Sequence, residues 1–181
     1  MVYPIIKNKE YKKIVKNIFR NTEFKKIYNI EHHGISRMEH SIKISYYSYV
    51  IAKKLGMDYK SVARGGLLHD FFLNGDERST KERFFDTFTH PKKALKTSKR
   101  NFKINKVEEN IIVSHMFPIY ISFPKYKESF LVNLVDKVIG FKELVRGFSC
   151  KFVYKFKYVY VLMLVLISRY KNTFIYMNVF F

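Results

Sequence analysis

Most of the chain alternates apolar and polar residues at helical spacing. Tyr11, Ile14, Val15, Ile18 and Phe19 recur at intervals of three and four, with Lys12, Lys13, Lys16 and Arg20 between them. That spacing gathers the apolar residues on one helix face and leaves the cations on the other. A second helix is predicted from Ser36, which stands three residues before Glu39 at capping-box spacing, to Gly56. A third runs from about Tyr59 to Phe72, with Asp58 as its cap. After a polar loop around Asn74-Gly75-Asp76, Pro91 fits the first turn of a fourth helix that continues to about Arg100. Asn105 and Glu108 repeat the cap-plus-acid signature and open a fifth helix that ends near Met116. Pro118 and Pro124 bracket a packed loop, and a sixth helix runs from Lys125 to about Arg146 and stops at Gly147. The fold class is therefore all-α.

Beyond Gly147 the pattern changes. Residues 148–181 mix aromatic, β-branched and lysine residues and contain no Asp or Glu. The expected organisation is a helical domain over 1–147 and an apolar, basic C-terminal tail over 148–181. Tyr158–Ser168 is an uncharged run, but it falls well short of the roughly 20 residues that a spanning helix needs, so no membrane span is expected. A segment this apolar must be buried, paired with a partner or absorbed by a membrane surface, with packing on the bundle or a homodimer contact favoured. A shifted reading frame would leave a similar end.

Composition narrows the chemistry. With 181 residues, 48% hydrophobic and 27% charged, the chain has the balance of an ordinary globular domain. Its single cysteine, Cys150, excludes a disulfide framework and a thiolate zinc finger. The apolar run at Met1–Ile6 is too short for a signal peptide, and a cytoplasmic location is expected. The net charge of +19 attracts polyanions at long range. Yet Lys, Asn, Ile, Tyr and Phe crowd the whole chain, a bias of the kind an AT-rich genome produces, so charge alone does not assign nucleic acid as a partner. Residues 81–106 hold nine Lys or Arg against Glu82 and Asp86. This stripe is either a solvated helix face or a polyanion site.

The histidines are more informative. His40 lies inside the second helix, His69 and Asp70 near the end of the third, and His90 at the head of the fourth. His115 closes the fifth, and Asp136 interrupts an apolar run in the sixth. Packed helices can converge such groups on one point. Asp70 and Asp136 are embedded in apolar sequence, and a buried carboxylate is costly unless a cation or metal meets it. Pairing of Asp136 with Lys137, or hydrogen-bonded core histidines, would be the structural alternative.

The strings Arg37-Met-Glu-His-Ser41, Ala63-Arg-Gly-Gly-Leu-Leu-His-Asp70, Thr89-His-Pro91, Ser114-His-Met-Phe117 and Leu134-Val-Asp-Lys137 carry a resemblance. Their order resembles the H…HD…D signature of the HD-domain superfamily of metal-dependent phosphohydrolases. His90 and His115 add a likeness to its six-ligand subgroup, over roughly residues 30–147. The resemblance implies a helical bundle with a metal site in its core. It implies one metal held by His40, His69, Asp70 and Asp136, and a second held by Asp70, His90 and His115. Imidazole and carboxylate donors suit Mn, Fe, Ni, Co or Zn. The implied reaction is attack of metal-activated water on the phosphorus of a small phosphorylated metabolite, with a nucleotide favoured. Asp70 and Arg37 are then the expected catalytic groups. Arg37, Arg64, Lys93, Lys137 and His33 are the expected substrate contacts. One departure stands out: some nucleotidases of the family place a catalytic Glu soon after the His-Asp pair, whereas Phe71-Phe-Leu-Asn-Gly75 follows here and Asp76 is the nearest acid. The other reading is a non-catalytic, metal-binding regulatory or polyanion-binding module.

Overall fold

The computed structural model describes residues 7–32, 35–73 and 80–147, with the backbone alone at 31–32, 35, 80–88 and 146–147. The expected tail from Phe148 and the loop around Gly75 lie outside the described residues, as does His33. The chain divides into two units, Met1–Phe141 and Lys142–Phe181.

The described chain is all-α. The helices are α1 (Lys9–Arg20), α2 (Thr22–Lys25), α3 (Arg37–Lys54), α4 (Tyr59–Leu68), α5 (Thr80–Asn101), α6 (Lys106–Ser114) and α7 (Lys127–Gly147). A 3-10 turn, Lys26–Asn29, follows α2. Two residues on each side, β1 (Glu31–His32) and β2 (Ile35–Ser36), pair antiparallel just before α3. Among the described residues no helix is long and apolar enough to cross a membrane.

The predicted caps form. Ser36 accepts a hydrogen bond from the Glu39 amide, Asp58 from Ser61, and Asn105 from Glu108, whose side chain completes the capping box. Each satisfies an amide that the first helical turn leaves without a partner. Gly56, at φ 64°, ends α3 in a conformation that other residues adopt only with strain.

The fourth predicted helix needs correction. Pro91 does not open it but lies inside α5, which already starts at Thr80. Proline removes one intrahelical hydrogen bond, and continued packing offsets that loss: Pro91, Ala94 and Ser98 form the buried side of the helix. The third predicted helix is shorter than expected: Leu68 is its last residue and His69 is its C-cap.

Two apolar clusters sandwich α4. One joins Tyr11, Val15 and Ile18 of α1 and Phe24 to Leu67, Leu68 and Phe71. The other joins Val62 to Ile44, Ile111, Val132 and Val135 of α3, α6 and α7. Each large side chain so buried contributes about 1.5–3 kcal/mol. Close helix contact comes from small residues. A Cβ on Gly66 would lie 3.1 Å from the Ser45 Cα, and one on Gly65 would lie 2.9 Å from the Ile111 Cδ1. Ser45 spends its own proton on the Ala63 carbonyl at 2.6 Å and accepts from Tyr11 at 2.7 Å, so its burial costs little.

Candidate metal centre

The helix ends set the geometry. Both α4 and α6 finish on a histidine, His69 and His115, whose Nδ1 returns to a carbonyl three residues earlier. His69 donates to Gly66 and His115 to Ile112, each at 2.8 Å. A neutral imidazole that donates from Nδ1 keeps a lone pair on Nε2. Both Nε2 atoms point into the same space.

Five helices surround it. His40 on α3 lies 3.3 Å from Asp136 of α7, Nε2 to Oδ1, and His69 Nε2 is 3.9 Å from the same oxygen. Asp70 Oδ1 lies 3.4 Å from His90 of α5 and 3.5 Å from His115. Its Oδ2 lies 3.7 Å from His69, and the His90 and His115 Nε2 atoms are 2.9 Å apart. Two buried groups can each hold a metal ion: His40, His69 and Asp136, and His69, Asp70 and His115. All six expected ligands therefore meet, with His69 between the two groups and Asp70 reaching three histidines.

The electrostatics of the centre call for a cation. Burial pushes the His69 and His90 imidazoles down to about 4, so both are neutral at neutral pH. Burial alone would raise the Asp136 carboxyl; the Lys137 charge and the hydrogen bond from His40 override it and hold the acid well below its usual range. The result is a bare lone pair on His69 facing two carboxylates. That Nε2 atom is buried and has no hydrogen-bond partner among the described residues. A divalent ion satisfies it, since ligand bonds of about 2.0–2.2 Å place neighbouring donors roughly 3–3.5 Å apart. The residues present fit a metal.

The expected substrate contacts separate. Arg37 is buried one turn before His40 and its Nη1 donates to the Phe72 carbonyl at 2.7 Å. Its guanidinium lies 3.9 Å from the Phe72 ring centroid, and that ring stacks on His90 at 5.4 Å. Lys137 reaches the rim, donating to the His115 carbonyl at 2.6 Å and pairing with Asp136 at 3.1 Å. Lys93 is exposed on α5, one turn beyond His90. Arg64 is not brought to the centre. It pairs with Glu108 and bonds Asn17 and the Lys103 carbonyl, engaging all three of its nitrogens.

The sequence reading missed two contributors. Phe72 links Arg37 to His90, and only its place beside the His-Asp pair marks it. Asn133, fully within α7, donates from Nδ2 towards the carbonyls of Ser114, His115 and Phe117 at 3.1, 2.6 and 2.9 Å. It pins the turn that carries His115. A lone amide in the apolar run Leu131–Val135, one turn before Asp136, was the available signal. Compared with family models, curated proteins and solved structures, the chain matches none.

Proposed function

We propose that the protein is a metal-dependent phosphohydrolase of the HD type, acting on a small phosphorylated metabolite, with a nucleotide as the favoured class. The observation that carries this reading is the meeting of His40, His69, Asp70, His90, His115 and Asp136 around the unpartnered His69 nitrogen. His40, His69, Asp70 and Asp136 would hold one ion, and Asp70, His90 and His115 a second. A divalent ion there supplies Lewis acidity to a phosphoryl oxygen and acidifies water. The donor set, without thiolate, suits Mn, Fe, Ni, Co or Zn.

The chain's own residues supply the rest. Asp136 and His90 are the ligands with the most exposed side chains, at 11% and 12%, so a substrate approaches between α7 and α5. Lys137 and Lys93 border that approach and meet phosphate charge with point cations. Arg37 sits behind Phe72 and keeps positive charge close to His90. The neutral state of His69 and His90 leaves both available as ligands rather than as proton donors.

A specific feature favours a second reading, a metal-binding module without turnover: the buried Phe71 and Phe72 follow the His-Asp pair, soon after which some resembling enzymes place a catalytic acid. Elemental analysis and a phosphoester panel separate the two. The Mn-loaded protein is expected to hydrolyse a mononucleotide or dinucleoside polyphosphate, and Asp70→Ala to lose both bound metal and turnover. Metal binding without hydrolysis of any phosphoester would establish the module instead. A full metal complement in Asp70→Ala would remove Asp70 from the ligand set.

A further inference from the structure

We infer that Phe72, held by Arg37, positions His90 for the second metal ion of the two-ion assignment above, on which this role rests. The histidines that face Asp70 take their orientation in two ways. His69 and His115 are tied through Nδ1 to carbonyls of their own helices, Gly66 and Ile112. His90 of α5 meets a ring from another part of the chain. Phe72, which follows α4, stacks on its imidazole with centroids 5.4 Å apart and an interplanar angle of 26°. The Nε2 lone pair lies in the imidazole plane, so a neighbour that sets the plane also sets its aim. His90 Nε2 lies 3.4 Å from Asp70 Oδ1 and 2.9 Å from His115 Nε2, which is itself 3.5 Å from the same oxygen. Ligand bonds of about 2.0–2.2 Å put the donors of one ion at this separation.

Phe72 is itself fixed in place. Its amide donates to the Asp70 carbonyl at 2.9 Å, so one turn carries both the carboxylate ligand and the ring. Its carbonyl accepts from Arg37 Nη1 at 2.7 Å, and the same guanidinium lies 3.9 Å from the ring centroid. Arg37 and Phe72 are both buried, so the charge-assisted bond and the cation–ring contact act with little screening by water. Arg37 opens α3, one turn before His40. A single side chain therefore ties the helix that carries a ligand of the first ion to the ring that orients a ligand of the second.

Filling of space does not account for the ring. Phe71, the preceding residue, is fully buried, and its own ring packs against Phe24 at 5.3 Å and Phe102 at 6.1 Å. Phe71 thus serves the apolar cluster, whereas Phe72 meets a cation and an imidazole. An aliphatic side chain could occupy the place of Phe72, but it would offer neither of them a π face.

The test follows Co(II) binding to the metal-free full chain by calorimetry and by visible absorption. The wild type is expected to take up about two equivalents. Phe72→Leu is expected to keep the first at wild-type affinity and to weaken the second at least tenfold, within the range of about 10–100-fold that outer partners of metal ligands contribute. Only the absorption of the second equivalent is expected to change. Phe72→Tyr, which keeps the ring, is expected to restore both. Arg37→Met is expected to act in the same direction, and Arg37→Met/Phe72→Leu to bind the second ion within about twofold of Phe72→Leu, because Arg37 acts through the ring. Phe71→Leu removes a buried ring from the same turn and is expected to leave both equivalents as in the wild type. Circular dichroism checks folding, and should Phe72→Leu not fold, Arg37→Met carries the test alone. Two undiminished equivalents in the folded variant would overturn the positioning role and leave the two-ion assignment standing. Equal weakening by Phe71→Leu would reduce Phe72 to packing, and additive effects in the double variant would overturn the part given to Arg37. A wild type that binds fewer than two equivalents would overturn the assignment and the role together.

Discussion

A histidine tied to a carbonyl through Nδ1 presents a fixed lone pair, and the two that do so here occupy the same place at the ends of α4 and α6. This residue-scale constraint has a pH consequence in the metal-free protein. Burial lowers the folded-state value of His69 and His90 to about 4, against about 6.5 unfolded. Between those values the unfolded chain binds protons that the folded chain refuses, so stability falls as pH falls. The slope approaches about 1.4 kcal/mol per pH unit for each histidine. Asp136 acts further down: its stabilisation is present above the unfolded carboxylate value and is lost only as pH drops through its depressed folded value. Urea titrations in EDTA are expected to show stability declining from about pH 6.5 towards 4. A flat profile over that window would mean that the imidazoles already carry protons. The ligand types were legible in sequence because His and Asp within apolar runs demand a reason. Asn133 and Phe72 were not, because their roles depend on carbonyls and rings that only the packed helices bring near.

Elements show the same division between local and non-local causes. Ser36, Asp58 and Asn105 cap helices through bonds spanning three residues, so a short stretch of sequence holds the whole cause. The start of α5 was hidden because packing, not local preference, carries a helix through Pro91. Neither α2 nor the two-residue hairpin is long enough to show a period. The convergence of α3, α4 and α6 rests on Gly65 and Gly66, and the two differ in what they face. Gly66→Ala drives a methyl against the Ser45 backbone, which cannot yield without moving α3. Gly65→Ala meets the Ile111 Cδ1 at 2.9 Å, which can rotate away, and its Cβ at 3.1 Å, which cannot. Each is expected to cost about 1–3 kcal/mol in chemical denaturation. A cost near zero for either would mean that the facing helix yields.

At the scale of the whole molecule, buried charge among the described residues is mainly acidic, with Arg37 the buried cation. Asp70, Glu108, Glu128, Asp136 and Glu143 are buried among the described residues, while the lysines stay outside. The surface is therefore more cationic than the net charge of +19 conveys. The all-α class was readable from periodicity, but this layering was not, since burial of an acid depends on which helix covers it. The layering governs how fast an ion arrives. A divalent cation must cross a repelling shell before it meets Asp70 and Asp136, and the shell reaches about 30 Å in 10 mM salt but only about 10 Å at 0.1 M. Stopped-flow loading of Mn into the metal-free protein is expected to accelerate as KCl is added, the reverse of ordinary electrostatic steering between opposite charges. A rate that fell with salt would show that the two aspartates alone set the field along the entry path.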